Sequence, residues 1–258
     1  MKIAVSGKGG VGKTTVAGIL ARLFGREGKN VLVIDADPDS NMASAIGVPA
    51  EKRKGIVPLS QMFDLIEERT GARPGQSYGG MFKLNPKVDD LVERFGIEGK
   101  DHVKLLVLGT ISAGGGGCFC PENALLKALI KHLLLKEEIL IMDMEAGIEH
   151  LGRGTAKNVD VLIIVVEPGL RSVETAARIK ALAKDIEIKK IVAVLNKVNN
   201  REEEGLIKRE LEKIGILMAG VIPYNKGVIE TDLMGVSPLD LEENADVMEA
   251  VWDLKEFL

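Results

Sequence analysis

Seven short runs of β-branched and aliphatic residues recur along the chain. They are Ile3–Ser6, Val31–Asp35, Val103–Leu108, Ile139–Asp143, Val161–Val166, Ile191–Leu195 and Leu217–Ile222. Most are continuously apolar rather than alternating, the pattern of strands buried on both faces. Segments with helical spacing lie between them, among them Val16–Glu27, Ala124–Leu135, Val173–Lys184 and Glu202–Ile214. Strands alternating with helices predict an α/β fold, a doubly wound and mostly parallel sheet with helices on both faces. Right-handed crossovers then bring the carboxyl ends of the strands to one edge, where ligands bind. The 258 residues suit one such domain over 1–258. Gly71–Gly80 reads as an exposed loop in an insertion between the second and third strands.

Gly7-Lys8-Gly9-Gly10-Val11-Gly12-Lys13-Thr14 matches the P-loop pattern, and it follows a buried-strand run and opens a helix. The glycines let backbone N–H groups wrap phosphates, and the helix N-terminus adds the positive end of its dipole. Lys13 is expected at the β- and γ-phosphates, Thr14 on Mg²⁺ and Thr15 at the α-phosphate. The net charge of −4 argues against a broad phosphate-binding surface, so no nucleic-acid partner is expected. Lys52-Arg53-Lys54 is the only compact basic run and reads as a solvated loop. The apolar start Met1–Gly7 is too short for a signal peptide, and no stretch approaches ~18 apolar residues. The expectation is a cytoplasmic protein without a membrane partner.

Lys8, an extra lysine just after the first glycine, resembles the deviant Walker A motif of the MinD, ParA and nitrogenase iron protein superfamily. The resemblance implies a SIMIBI-like P-loop NTPase fold and a nucleotide-sandwich dimer in which Lys8 reaches the partner's phosphates. Val33-Ile34-Asp35-Ala36-Asp37-Pro38-Asp39 leaves a strand for a loop, and Asp37 falls at the superfamily's switch I position. There a carboxylate orients the attacking water or holds the metal shell. Ile141-Met142-Asp143-Met144-Glu145-Ala146-Gly147 resembles Walker B followed by switch II. That places Asp143 on Mg²⁺ through water and the Gly147 N–H at the γ-phosphate. For Asp35 and Asp39, solvation or helix capping stands beside a metal role. Glu145 and His150 adjoin switch II, and structural hydrogen bonding is favoured for His150 over metal binding.

Leu195-Asn196-Lys197-Val198 resembles the NK element, in which the Asn196 amide reads a purine edge. A guanine reader would carry Asp where this chain has Asn199, so ATP is expected. Ile222-Pro223-Tyr224-Asn225 is expected to form the other wall of the base pocket, with Pro223 and Lys197 among the nucleotide contacts.

The only cysteines, Cys118 and Cys120, follow four glycines and precede Pro121-Glu122, a helix-start signal. Two cysteines make no disulfide framework. A helix N-terminus favours the thiolate, the metal-binding form. Alternate residues of an extended segment lie roughly 6.6 Å apart, long for a disulfide, so shared metal ligation is preferred. One chain offers two sulfurs where soft-metal sites want four ligands, and a twofold dimer supplies four.

The combination of GKGGVGKTT, DADPDS, LNPKVDDL at Leu84–Leu91, the CxC pair and Met142–Asp160 is similar to the CooC family. These are accessory ATPases for nickel insertion into carbon monoxide dehydrogenase. The resemblance runs from Met1 to about Asn225. It implies an ATPase that forms a homodimer on ATP, with Ni²⁺ or Zn²⁺ shared between Cys118 and Cys120 of both subunits. The implied client is carbon monoxide dehydrogenase or the associated acetyl-CoA synthase. An iron–sulfur ATPase like the nitrogenase iron protein stands as an alternative, although its ligand cysteines lie far apart in sequence. A MinD- or ParA-like positioning ATPase is a further one. Against it, the amphipathic segment Asp246–Leu258 carries Asp246, Glu249, Asp253 and Glu256 against one lysine, and anionic membranes repel such a face. Val247, Val251 and Trp252 are expected to pack on the sheet instead.

Overall fold

A computed structural model describes residues 1–36, 41–75, 81–109, 120–144 and 156–258. Among the described residues the chain builds an eight-stranded sheet of order β3-β4-β2-β5-β1-β6-β7-β8. Its strands are β1 Lys2–Gly7, β2 Val31–Asp35, β3 Ile97–Glu98, β4 Val103–Val107, β5 Ile139–Asp143, β6 Val161–Val166, β7 Ile191–Val198 and β8 Leu217–Pro223. All neighbours pair in parallel except β3, a two-residue edge strand antiparallel to β4. The run read as ending at Leu108 leaves the sheet at Val107, and the Leu108 N–H instead donates to the Asp35 carbonyl. β2, β5 and β6 are buried along their whole length, as continuous apolar runs require.

Helices α1 Lys13–Arg26, α2 Met42–Ala45, α3 Ala50–Arg53, α4 Phe63–Thr70, α5 Leu91–Phe95 and α6 Pro121–Lys136 precede β6. After it come α7 Leu170–Asp185, α8 Arg201–Lys213, α9 Lys226–Met234 and α10 Ala245–Phe257. Two buried clusters lie on opposite faces of the sheet. One gathers α4, α6, α7 and α8 around Leu106, Leu126, Met142 and Ile164; the other holds α1 and α10 around Ile3, Val33, Ile141 and Ile163. The doubly wound expectation therefore holds. Among the described residues, no helix is long and apolar enough to cross a membrane.

Two local readings are corrected. Lys52 and Arg53 belong to α3 rather than to a loop, because Pro49 opens a short helical turn at Ala50. Val247 and Val251 of α10 are buried as expected, and Leu254 with them, but Trp252 is 41% exposed and lies under the Lys255 ammonium, 4.3 Å from the ring centroid. Lys255 itself is buried and pairs with Glu27 at 2.7 Å, tying α10 to the end of α1.

α1 is held from its other side by Arg22, which is 2% exposed and donates to Asp101 at 2.7 Å and Asp240 at 2.8 Å. Burial raises the Asp240 pKa, but hydrogen bonds from Lys100 and Arg22 outweigh it and hold the carboxyl below its ordinary value. Its contribution to stability is present above about pH 4 and is lost as acid titrates it toward its lower folded value. Replacing Arg22 by Ala leaves Asp101 with Arg26 and Asp240 with Lys100 but removes two charge-assisted hydrogen bonds and a buried side chain, so urea unfolding should show a loss of about 2 kcal/mol.

Candidate nucleotide site

The P-loop leaves β1 at the centre of the sheet, between β5 and β6, where the winding reverses direction. Its glycines have local causes. Gly12 caps α1 with φ 95°, a left-handed conformation, and a Cβ there would collide with the Asn196 amide. A Cβ on Gly7 would strike the Val165 carbonyl of the neighbouring strand. Gly12 at the cap position has no side chain, and among the described residues none caps α1, so its first-turn amides face the loop as an anion-binding end. Lys13 is 6% exposed at the first position of that helix. Gly9, Gly10, Gly12, Lys13, Thr14 and Thr15 line a cavity of about 500 Å³. Val11 is fully buried beneath it.

Thr14 and Asp143, both expected on Mg²⁺, lie in direct contact. The Thr14 hydroxyl donates to Asp143 Oδ2 at 2.6 Å, joining the start of α1 to the end of β5. Parallel register places Asp35 directly beside Asp143 across β2 and β5. Asp35 is 4% exposed and Asp143 fully buried, so two carboxylates and a hydroxyl share one edge of the P-loop. An all-oxygen donor set of this kind fits Mg²⁺, which prefers one or two carboxylates plus phosphate and water. The sequence left Asp35 undecided; the cross-strand register brings it to the site.

Asn196, at the end of β7, is placed differently from a simple base reader. Its Nδ2 donates to the Val11 carbonyl at 2.8 Å, and its Oδ1 accepts from the Lys197 N–H at 2.9 Å. The amide thus splints the P-loop to β7, leaving one N–H and one lone pair for a ligand. Lys197 has φ 62° at a break in the β7–β8 register, and its ammonium donates to the Gly10 carbonyl at 2.5 Å. Asn199 turns away, with its N–H donating to Glu203 at 2.9 Å. Ile222, Pro223, Tyr224 and Asn225 line a second, mostly apolar cavity of about 130 Å³ against Gly12, Thr15 and Asn196. Val228 of α9 and Val247 and Val251 of α10 complete its walls. Sequence reading missed that role because the same valines also read as ordinary core contacts.

Lys8 is 42% exposed and lies 3.5 Å from Glu167, the residue after β6. Cys120 is half-buried at the N-cap position of α6, whose first residue is Pro121, and its side chain makes no capping bond there. Among the described residues no group of three or more His, Cys, Asp or Glu side chains is arranged to hold a metal. Asp37, Asp39, Cys118, Glu145, Gly147 and His150 lie outside the described residues.

The doubly wound sheet, the P-loop at its reversal point and the hydroxyl–carboxylate pair beside it define a P-loop ATPase. Residues 2–239 match the family of CobQ/CobB/MinD/ParA nucleotide binding domains. The chain is 49% identical over 244 residues to the carbon monoxide dehydrogenase accessory protein CooC of Rhodospirillum rubrum, covering 93% of this chain and 90% of that protein. It is 48% identical over 246 residues to an uncharacterized ATP-binding protein of Methanocaldococcus jannaschii, covering 95% and 93%. A chain of the MinC:MinD cell division protein complex of Aquifex aeolicus superposes with TM-score 0.70 at 19% identity, covering 98% of this chain and 93% of that one. That likeness extends to the fold. The chain belongs to the CobQ/CobB/MinD/ParA nucleotide-binding family and, within it, is an ATPase of the CooC type.

Proposed function

We propose that this ATPase assists nickel insertion into carbon monoxide dehydrogenase or the associated acetyl-CoA synthase, cycling between a monomer or loose dimer and a tight ATP-bound dimer. The observation that carries this reading is the 49% identity to a carbon monoxide dehydrogenase accessory protein over 93% of the chain. The site supports the ATP cycle. The α1 amides and Lys13 would bind the phosphates, and the apolar cavity beside Asn196 and Pro223 would take the base. Thr14 and Asp143 would hold Mg²⁺, which when bound neutralises charge on the β- and γ-phosphate oxygens. Asp37 would orient a water toward the γ-phosphorus, breaking its bond to the bridging oxygen and releasing ADP and phosphate. Lys8 of a second copy would reach across, and Gly147 would report the γ-phosphate to the segment behind it.

The cargo reading rests on Cys118 and Cys120. A thiol at a helix N-terminus is disposed to ionise, and thiolates suit Ni²⁺ or Zn²⁺. Four sulfurs from two subunits would complete a tetrahedral set. No membrane or nucleic-acid partner is part of this reading, and a cytoplasmic location accords with it.

Anaerobic metal analysis with mass determination, with and without ATP, tests the proposal. The expected result is about half a nickel or zinc per chain in a dimer, lost when both cysteines become serine while ATP still binds. About two irons and two sulfides per chain would instead indicate a bridging four-iron cluster and overturn the nickel reading.

A further inference from the structure

One carboxylate serves both lysines that flank the P-loop. Glu167 Oε1 lies 3.5 Å from Lys8 Nζ, and Glu167 Oε2 lies 3.8 Å from Lys197 Nζ. The arrangement comes from the sheet, because β1 and β6 pair in parallel with Gly7 beside Val165. The residues just beyond those strand ends, Lys8 and Glu167, therefore emerge together. The Glu167 N–H donates to Ser172 Oγ at 3.0 Å, and Ser172 is buried in the first turn of α7, which fixes the backbone carrying the carboxylate. Glu167 is also the least exposed of the three side chains, at 28% against 42% for Lys8 and 43% for Lys197. Lys197 is fixed independently by the Gly10 carbonyl, whereas Lys8 has Glu167 as its one ion-pair partner among the described residues.

We infer that Glu167 is a positioning residue that holds Lys8 against its own P-loop, so that Lys8 must leave this carboxylate before reaching a phosphate in a second copy of the chain. The inference rests on the dimer reading above for its second step and on the geometry alone for its first. Before release, the carboxylate offsets the charges of Lys8 and Lys197 beside the phosphate cavity. After release, Glu167 retains Lys197, so the P-loop strut through Gly10 survives. Part of the free energy of the ATP-bound dimer is thus spent in breaking the Lys8–Glu167 pair. Exposed ion pairs of this kind are weak, so Glu167 would set a threshold rather than impose a block.

Two readouts on the full-length protein separate the steps. Competitive acylation of the nucleotide-free protein, read by peptide mass spectrometry, should find Lys8 about two- to fivefold more reactive in Glu167→Gln. Glu167→Asp should recover part of the protection, and the exposed Lys54 serves as internal reference. Unchanged Lys8 reactivity overturns the holding role, whatever the oligomeric state. Mass measurement against protein concentration at saturating ATP should then show Glu167→Gln dimerising at a concentration lower by a similar factor, with ADP affinity setting aside any direct effect on nucleotide binding. Dimerisation that is unchanged or weakened overturns the release step. A wild-type protein that stays monomeric with ATP while its Lys8 reactivity responds would sink the dimer reading and the release step, and leave the holding role standing.

Discussion

Replacing Lys13 by Ala is expected to lower ATP affinity by at least about 100-fold while leaving the fold in place. The side chain is almost fully buried at the first position of α1, against the cavity formed by the P-loop glycines. An ammonium held there would meet phosphate oxygens, and a charge-assisted hydrogen bond of that kind is roughly twice as strong as a neutral one. Ala is the best helix former, so α1 itself should not be weakened at its start. Gln at the same position keeps most of the volume and removes the charge, and it should lose nearly as much affinity. Calorimetric titration with ATP and ADP checks the loss, and thermal unfolding of the nucleotide-free variants checks the fold. A variant that retained near-native affinity would place the phosphates elsewhere than on this loop.

The architecture was legible where one segment carries its own reason. β5 is a run of apolar residues ending in Asp143, and both its burial and the position of that carboxylate follow from the run itself. β3 is two residues long and exists through its pairing with Leu105 and Lys104, so no local pattern announces it. α2 is similar: four residues become a helix where Ala45 lies close against Gly18 of α1. At the site, Thr14 and Asp143 could each be picked out because each lies in a motif, whereas the hydrogen bond between them is a product of the fold. Glu167 and Asp35 could not be assigned in this way. Their neighbours, Lys8 and Asp143, come from distant parts of the chain and are aligned by parallel strand register. Asn196 was found for its motif, yet its amide is largely engaged in holding the P-loop, a role visible only once Gly12 is seen against it.

Replacing Asp143 by Asn should move turnover and stability in opposite directions. Asp143 is fully buried at the end of β5, accepts from Thr14 at 2.6 Å and lies beside Asp35 in cross-strand register. Adjacent strands are separated by about 4.8 Å, so ionising both carboxylates at these positions sets like charges close together. A divalent cation bound with nucleotide would offset that repulsion. Asn keeps the shape and an acceptor for Thr14, removes one negative charge and weakens the hold on Mg²⁺. ATP hydrolysis should therefore fall by about 10²- to 10³-fold, as expected when one preorganised electrostatic contact is lost. The metal-free protein should at the same time unfold at a higher urea concentration, by about 0.5 kcal/mol or more. Asp35→Asn should give a similar gain in stability. Its loss of turnover should be smaller if, as proposed, Mg²⁺ is held by Thr14 and Asp143, which share a hydrogen bond. Equal catalytic losses in the two variants would mean that both carboxylates hold the ion. A destabilised Asp143→Asn protein would mean that the pair is compensated within the free protein, and that the site is built for charge before any cation arrives.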